Sequence, residues 1–196
     1  MNSLNQSNAT VSNETAETAK SLRKLYFLRA AFSLAWVILV LAFAKTNAGI
    51  ATILFTIYPA WDVLATFLDI KANPPEVSKK MQVLNAAISI TTTVAVALAL
   101  QKGVPEALIV FGVWAILTGL IQLILGLSRR KQLGGQWPMI ISGGQSMLAG
   151  GSFIAMAHAP NSGITTLAGY AAFGAFYFIL AANRLSKTIK TAPVVA

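Results

Sequence analysis

Asp62 is the side chain whose setting asks most for a chemical explanation. It stands in the apolar stretch TILFTIYPAWDVLATFLDI, residues 52–70. An ionised carboxylate among apolar neighbours is costly and by default a functional candidate. It must be paired, face a wet cavity, or carry a proton. Pro59 lies three residues earlier. In a helix it removes one hydrogen bond, frees the Phe55 carbonyl and favours a kink beside Asp62. Arg29 is the natural counter-ion, although helix side chains lean toward their N-termini and would tilt the two apart. Asp69 competes with Asp62 for the same arginine. The chemistry open to such a set is ion pairing, or the handling of a proton or ion.

No other constellation suggests bond-making chemistry. The chain has no Cys and a single His. That excludes disulfides, thiol nucleophiles and His-rich or thiolate metal centres. There is no phosphate loop, dinucleotide fingerprint or nucleophile elbow. No catalytic residue, metal or cofactor is therefore expected, and the protein is expected not to be an enzyme.

The elements that must position Asp62 follow from composition. The 196 residues are 56% hydrophobic and only 11% charged, against about 25% charged in an ordinary soluble domain. This predicts an all-α, polytopic membrane protein in contact with a lipid bilayer. Apolar stretches of about 20 residues, each enough to cross a hydrocarbon core of about 30 Å, fall at 23–44, 49–71, 79–101, 105–128, 137–158 and 162–186. Lys45-Thr46-Asn47-Ala48-Gly49, Asn73-Pro74-Pro75, Gly103-Val104-Pro105, Gly134-Gly135 and Pro160-Asn161-Ser162-Gly163 separate them. Continuous apolar runs favour helices over a barrel of alternating strands. Residues 1–21, rich in Asn, Ser and Thr, read as a mobile polar tail, and 188–196 as a second, C-terminal tail.

Charge sets the expected orientation. Thirteen cations fall on one side: Lys20, Arg23, Lys24, Arg29, Lys71, Lys79, Lys80, Arg129, Arg130, Lys131, Arg184, Lys187 and Lys190. The other side carries Lys45 and Lys102. The positive-inside rule then places both termini in the cytoplasm. The same bias suits anionic lipid headgroups. Nucleic acid is not an expected partner, because the cations are divided among four short segments.

A threefold repeat runs through the chain. Arg29-Ala30-Ala31-Phe32-Ser33, Asn85-Ala86-Ala87-Ile88-Ser89 and Ser142-Gly143-Gly144-Gln145-Ser146 are offset by 56 and then 57 residues. The same offsets take Asp62 to Thr118 and Ala175, Phe55 to Phe111, and Tyr58 to Trp114. This predicts three helical hairpins at about 22–72, 79–129 and 137–187. Arg29/Ser33, Asn85/Ser89 and Ser142/Ser146 each form one helix stripe. Small and hydroxyl residues, including Gly143, Gly144 and Gly150, allow close helix packing and interhelical hydrogen bonds worth on the order of 1 kcal/mol each. The stripes either form the packing core or converge on a threefold axis and line a pathway. Gly-rich span five is also a candidate surface for homo-oligomers or another membrane protein.

Six spans in three hairpins resemble the HdeD-like family of small bacterial inner-membrane proteins. The resemblance covers about residues 22–187 and includes Tyr58-Pro59-Ala60-Trp61-Asp62, Phe111-Gly112-Val113-Trp114-Ala115 and residues 169–177, GYAAFGAFY. It implies the bacterial cytoplasmic membrane and a role in envelope or acid-stress tolerance, with no catalytic residues to carry over. A non-enzymatic membrane protein of that kind is the leading expectation. The alternative is a small permease or proton-coupled channel using Asp62 with Arg29.

Overall fold

The computed structural model describes residues 2–73, 79–160 and 162–191, with side chains within these ranges from Asn13 to Lys187 and at Ile189. The expected Pro74-Pro75 break and residues 192–196 of the expected C-terminal tail lie outside them. Six helices follow in chain order: α1 (Asn2–Phe43), α2 (Ala48–Ala72), α3 (Lys80–Ala99), α4 (Val104–Leu133), α5 (Trp137–Ala155) and α6 (Ile164–Thr191). Among the described residues there is no strand. Among the described residues five helical segments are long and apolar enough to cross a membrane: 13–43, 48–72, 80–99, 104–133 and 164–187. Helix α5 has 19 residues and is not among them, although 137–158 reads as a span. Its Gly, Ser and Gln residues dilute its hydropathy, and the helix stops at Ala155.

Local chemistry sets the helix ends. The Asn47 side chain caps α2, accepting a hydrogen bond from the Ile50 amide at 3.0 Å. Pro105 and Pro138 sit in the first turns of α4 and α5, where a missing amide proton costs nothing. Gly134 and Gly135 turn α4 into α5 with φ of 60° and 58°, a region that glycine alone enters freely. Helix α2 is continuous through Pro59.

The expected N-terminal tail is helical. Helix α1 has 42 residues, about 63 Å of helix, twice a hydrocarbon core. Ala16, Ala19 and Leu22 are buried. Ala19 and Leu22 join Ala181, Ala182 and Leu185 of α6 in one apolar cluster. Their three-residue spacing makes one helix stripe, which a polar average over the segment conceals. Likewise α6 continues through residues 188–191.

The helices form a closed ring, each packed on its chain neighbours and α1 on α6. Contact alternates around it. The pairs α4–α5, α1–α6 and α2–α3 pack extensively; α1–α2, α3–α4 and α5–α6 pack less. Glycine explains the closest pair. A Cβ on Gly112 would lie 2.7 Å from the Gly150 carbonyl oxygen, and one on Gly119 2.8 Å from that of Gly143. Gly112, Gly119 and Gly126 recur every seven residues on α4, as Gly143 and Gly150 do on α5. Gly144 does not take part in this seam as expected: its nearest neighbour is a Leu123 methyl at 4.0 Å, because it is turned about 100° from Gly143. The outer surface is apolar. Ile38, Leu41, Ile53, Leu64, Leu98 and Leu148 are all exposed, more apolar surface than a soluble monomer presents and compatible with an integral membrane protein in contact with lipid.

Candidate functional site

Two apolar cores bracket the middle of the ring. One contains Trp36, Phe55, Tyr58, Phe111, Trp114 and Phe153. Phe111 is its hub, with ring centroids 4.8 Å from Trp114, 5.9 Å from Tyr58 and 6.3 Å from Tyr170. The other contains Leu22, Tyr26, Ala65, Leu133, Met139 and Leu185. Between them lies a cavity of about 110 Å³ to which all six helices contribute. Its wall includes Arg29 and Ser33 of α1, Asp62 and Thr66 of α2, and Gln82 and Asn85 of α3. Asp69 of α2, Thr118 and Gln122 of α4, Ser142, Gln145 and Ser146 of α5, and Tyr170 and Gly174 of α6 add to it, beside apolar side chains such as Leu125 and Phe178.

Arg29 and Asp62 meet. Arg29 Nη1 donates to Asp62 Oδ1 at 2.8 Å, with side chains 17% and 12% exposed. The length of arginine overcomes the opposed lean of the two helices, and the guanidinium also lies 5.4 Å from the centre of the Phe178 ring. The second carboxylate oxygen is engaged too. Asp62 Oδ2 accepts from Asn85 Nδ2 at 2.7 Å and from Ser89 Oγ at 2.8 Å. Asn85 Nδ2 also reaches Thr66 Oγ1 at 2.8 Å. Trp114 Nε1 donates to Ser89 Oγ at 2.9 Å, which extends the network from α1 to α4. Four helices therefore fix one carboxylate, with charge-assisted bonds of the stronger kind.

The three serines of the sequence repeat occupy like positions. Ser33 pairs with Tyr58 Oη at 3.3 Å, Ser89 with Trp114, and Ser146 with Tyr170 Oη at 3.2 Å. All three serines are buried. Thr118 and Ser142 face the cavity as well, although Thr118 donates its hydroxyl proton to the Trp114 carbonyl at 2.8 Å. The α6 counterpart of Thr118 in the lining is Gly174; Ala175, expected from an offset of 57, is fully buried outside that lining. Tyr170 and Gly174 follow Trp114 and Thr118 by 56 residues, whereas Ser142 and Ser146 follow Asn85 and Ser89 by 57, so the last turn is one residue shorter.

Sequence reasoning missed a second buried ion pair. Arg129 Nη2 donates to Asp69 Oδ2 at 2.6 Å, with side chains 12% and 9% exposed. This takes up the carboxylate expected to compete for Arg29. The signal is present: Asp69 lies two residues inside the basic end of the second apolar stretch, and Arg129 directly follows the basic end of the fourth. Gln82 was missed as well. It is 2% exposed, lines the cavity, and its amide oxygen has no hydrogen-bond partner among the described residues. No family model, curated protein or solved structure matches the chain.

Proposed function

We propose that the chain is a non-enzymatic protein of the bacterial cytoplasmic membrane whose central cavity admits a small solute. In this reading it spans the membrane six times as three hairpins, with both termini cytoplasmic. Helix α5 crosses as a short span shielded along its α4 side. The observation that carries the functional reading is a cavity walled by all six helices, with polar side chains from every one of them set among apolar ones. A bundle that served only as a scaffold would be expected to fill that space with apolar side chains, as the two flanking cores do. The three serine–aromatic hydrogen bonds support the hairpin repeat, and the distribution of cations supports the orientation.

Asp62 acts here as a wall-fixing group. Arg29, Asn85 and Ser89 occupy both its oxygens, so the geometry favours solute accommodation over proton transfer at this carboxylate. The resemblance to the HdeD-like family supplies the physiological setting we propose, tolerance of envelope or acid stress; unchanged survival of a deletion strain under such stress would remove it.

The natural absence of cysteine makes the cavity directly testable. Ser142→Cys in the otherwise thiol-free chain should react with a small water-soluble thiol reagent in proteoliposomes. Leu148→Cys, at a position 79% exposed on the apolar outside, should react far more slowly. Equal and negligible reaction at both positions would mean a dry interior and would end the solute reading.

A further inference from the structure

We infer that the cavity takes small, uncharged, hydrogen-bonding molecules of the amide or polyol class and turns away ions. This rests on the solute reading above and specifies it. Charge is the first argument. The wall carries Asp62 and Asp69, but each is held by an arginine at 2.8 and 2.6 Å. An entering cation finds no free carboxylate. An entering anion finds Arg29 already committed to Asp62. Either ion would lose its hydration without a compensating opposite charge.

The unsatisfied hydrogen-bonding groups supply the second argument. Gln82 lines the wall, and its amide oxygen, closed off as packed, has no hydrogen-bond partner among the described residues. Ser142 and Gln145 line the same space, and each brings both donor and acceptor capacity. Thr118 has given its proton to a backbone carbonyl and keeps only acceptor lone pairs. Such a mixed, uncharged set complements amides and hydroxyls, which also combine donors and acceptors. Size supplies the third argument. An apolar cavity of about 150 Å³ holds benzene, so about 110 Å³ suits a molecule of about four to six non-hydrogen atoms. Urea and glycerol meet all three conditions.

The test is osmotic. Proteoliposomes containing the full chain are shrunk with urea or glycerol, and light scattering follows their reswelling as solute enters. Wild type should reswell faster than protein-free liposomes with both solutes, and should not speed entry of potassium chloride. Gly174→Leu should return reswelling to the protein-free rate. Gly174 lines the cavity, and a Cβ there meets nothing within 4 Å, so a larger side chain can grow into the space without striking the backbone. Ser142→Val, a smaller perturbation, should slow entry about fivefold, the equivalent of one hydrogen bond. Accelerated potassium chloride entry would overturn the proposal. So would urea and glycerol rates at the protein-free level, even with rapid water efflux. If Ser142→Cys still labels in that case, the wet cavity stands and only the solute class falls.

Discussion

Gly119 and Gly143 present bare backbone to each other across the α4–α5 seam. A Cβ on Gly143 would stand 2.6 Å from the Gly119 carbonyl oxygen and 2.7 Å from the Leu123 amide nitrogen. Neither atom can move without moving a helix. Gly143→Ala should therefore destabilise the protein by about 1–3 kcal/mol, the ordinary cost of overpacking. Gly144→Ala, one residue along and facing only a methyl at 4.0 Å, should be neutral or stabilising by up to about 1 kcal/mol, since alanine is the better helix former. Denaturant unfolding in mixed micelles separates the two, and equal effects would refute the seam.

The Arg29–Asp62 pair predicts a non-additive pattern. Removing either charge leaves the other buried, so Arg29→Met and Asp62→Leu should each cost about 3–5 kcal/mol. The double variant should lie nearer wild type than the more damaging single variant, because no orphan charge remains. Strictly additive losses in the same unfolding assay would show that the two residues act independently.

The first helix predicts a protection pattern. Ala16, Ala19, Leu22 and Tyr26 are buried, so backbone amides over 16–26 should exchange slowly with deuterium. Ala19→Glu, which would put a charge into the cluster with Leu185, should speed that exchange. Fast exchange over 16–22 in the unaltered protein would restore the mobile-tail reading.

The proposed crossing of α5 predicts sidedness. Single cysteines at Lys45, Lys102 and His158 should label from outside intact cells. Those at Lys71 and Lys131 should label only after permeabilisation. His158 labelling on the same side as Lys131 would mean that α5 does not cross.

Much of this was legible in single stretches of sequence. Helix starts at Ala48 and Val104 follow from Asn47 and Gly103-Val104-Pro105, because caps and breakers act within a few residues. Arg29 and Asp62 stand out as partners because each is rare in an apolar run. What could not be read was helix rotation. An apolar run surrounded by lipid has hydrophobic residues on every side, so little in it says which stripe faces inward. Hence the sequence alone does not separate Gly144 from Gly143 at the contact, join Asn85 and Ser89 to Asp62, or distinguish Arg129 from the other cations of its side. The partner stripe Gly112, Gly119 and Gly126 was readable from its seven-residue spacing. It becomes evident once Gly143 and Gly150 are laid against it in antiparallel order.

Helix α1 packs far more extensively on α6 than on α2, the helix that follows it in the chain. During synthesis the first helix is therefore complete more than a hundred residues before its main neighbour exists. Until Ile164–Thr191 emerges, the stripe of Ala19, Leu22 and Tyr26 stays uncovered, and the chamber beside Arg29 stands open along one side. The last helix is thus the closing stave, and loss of the C-terminal segment would strip the N-terminal helix of its support.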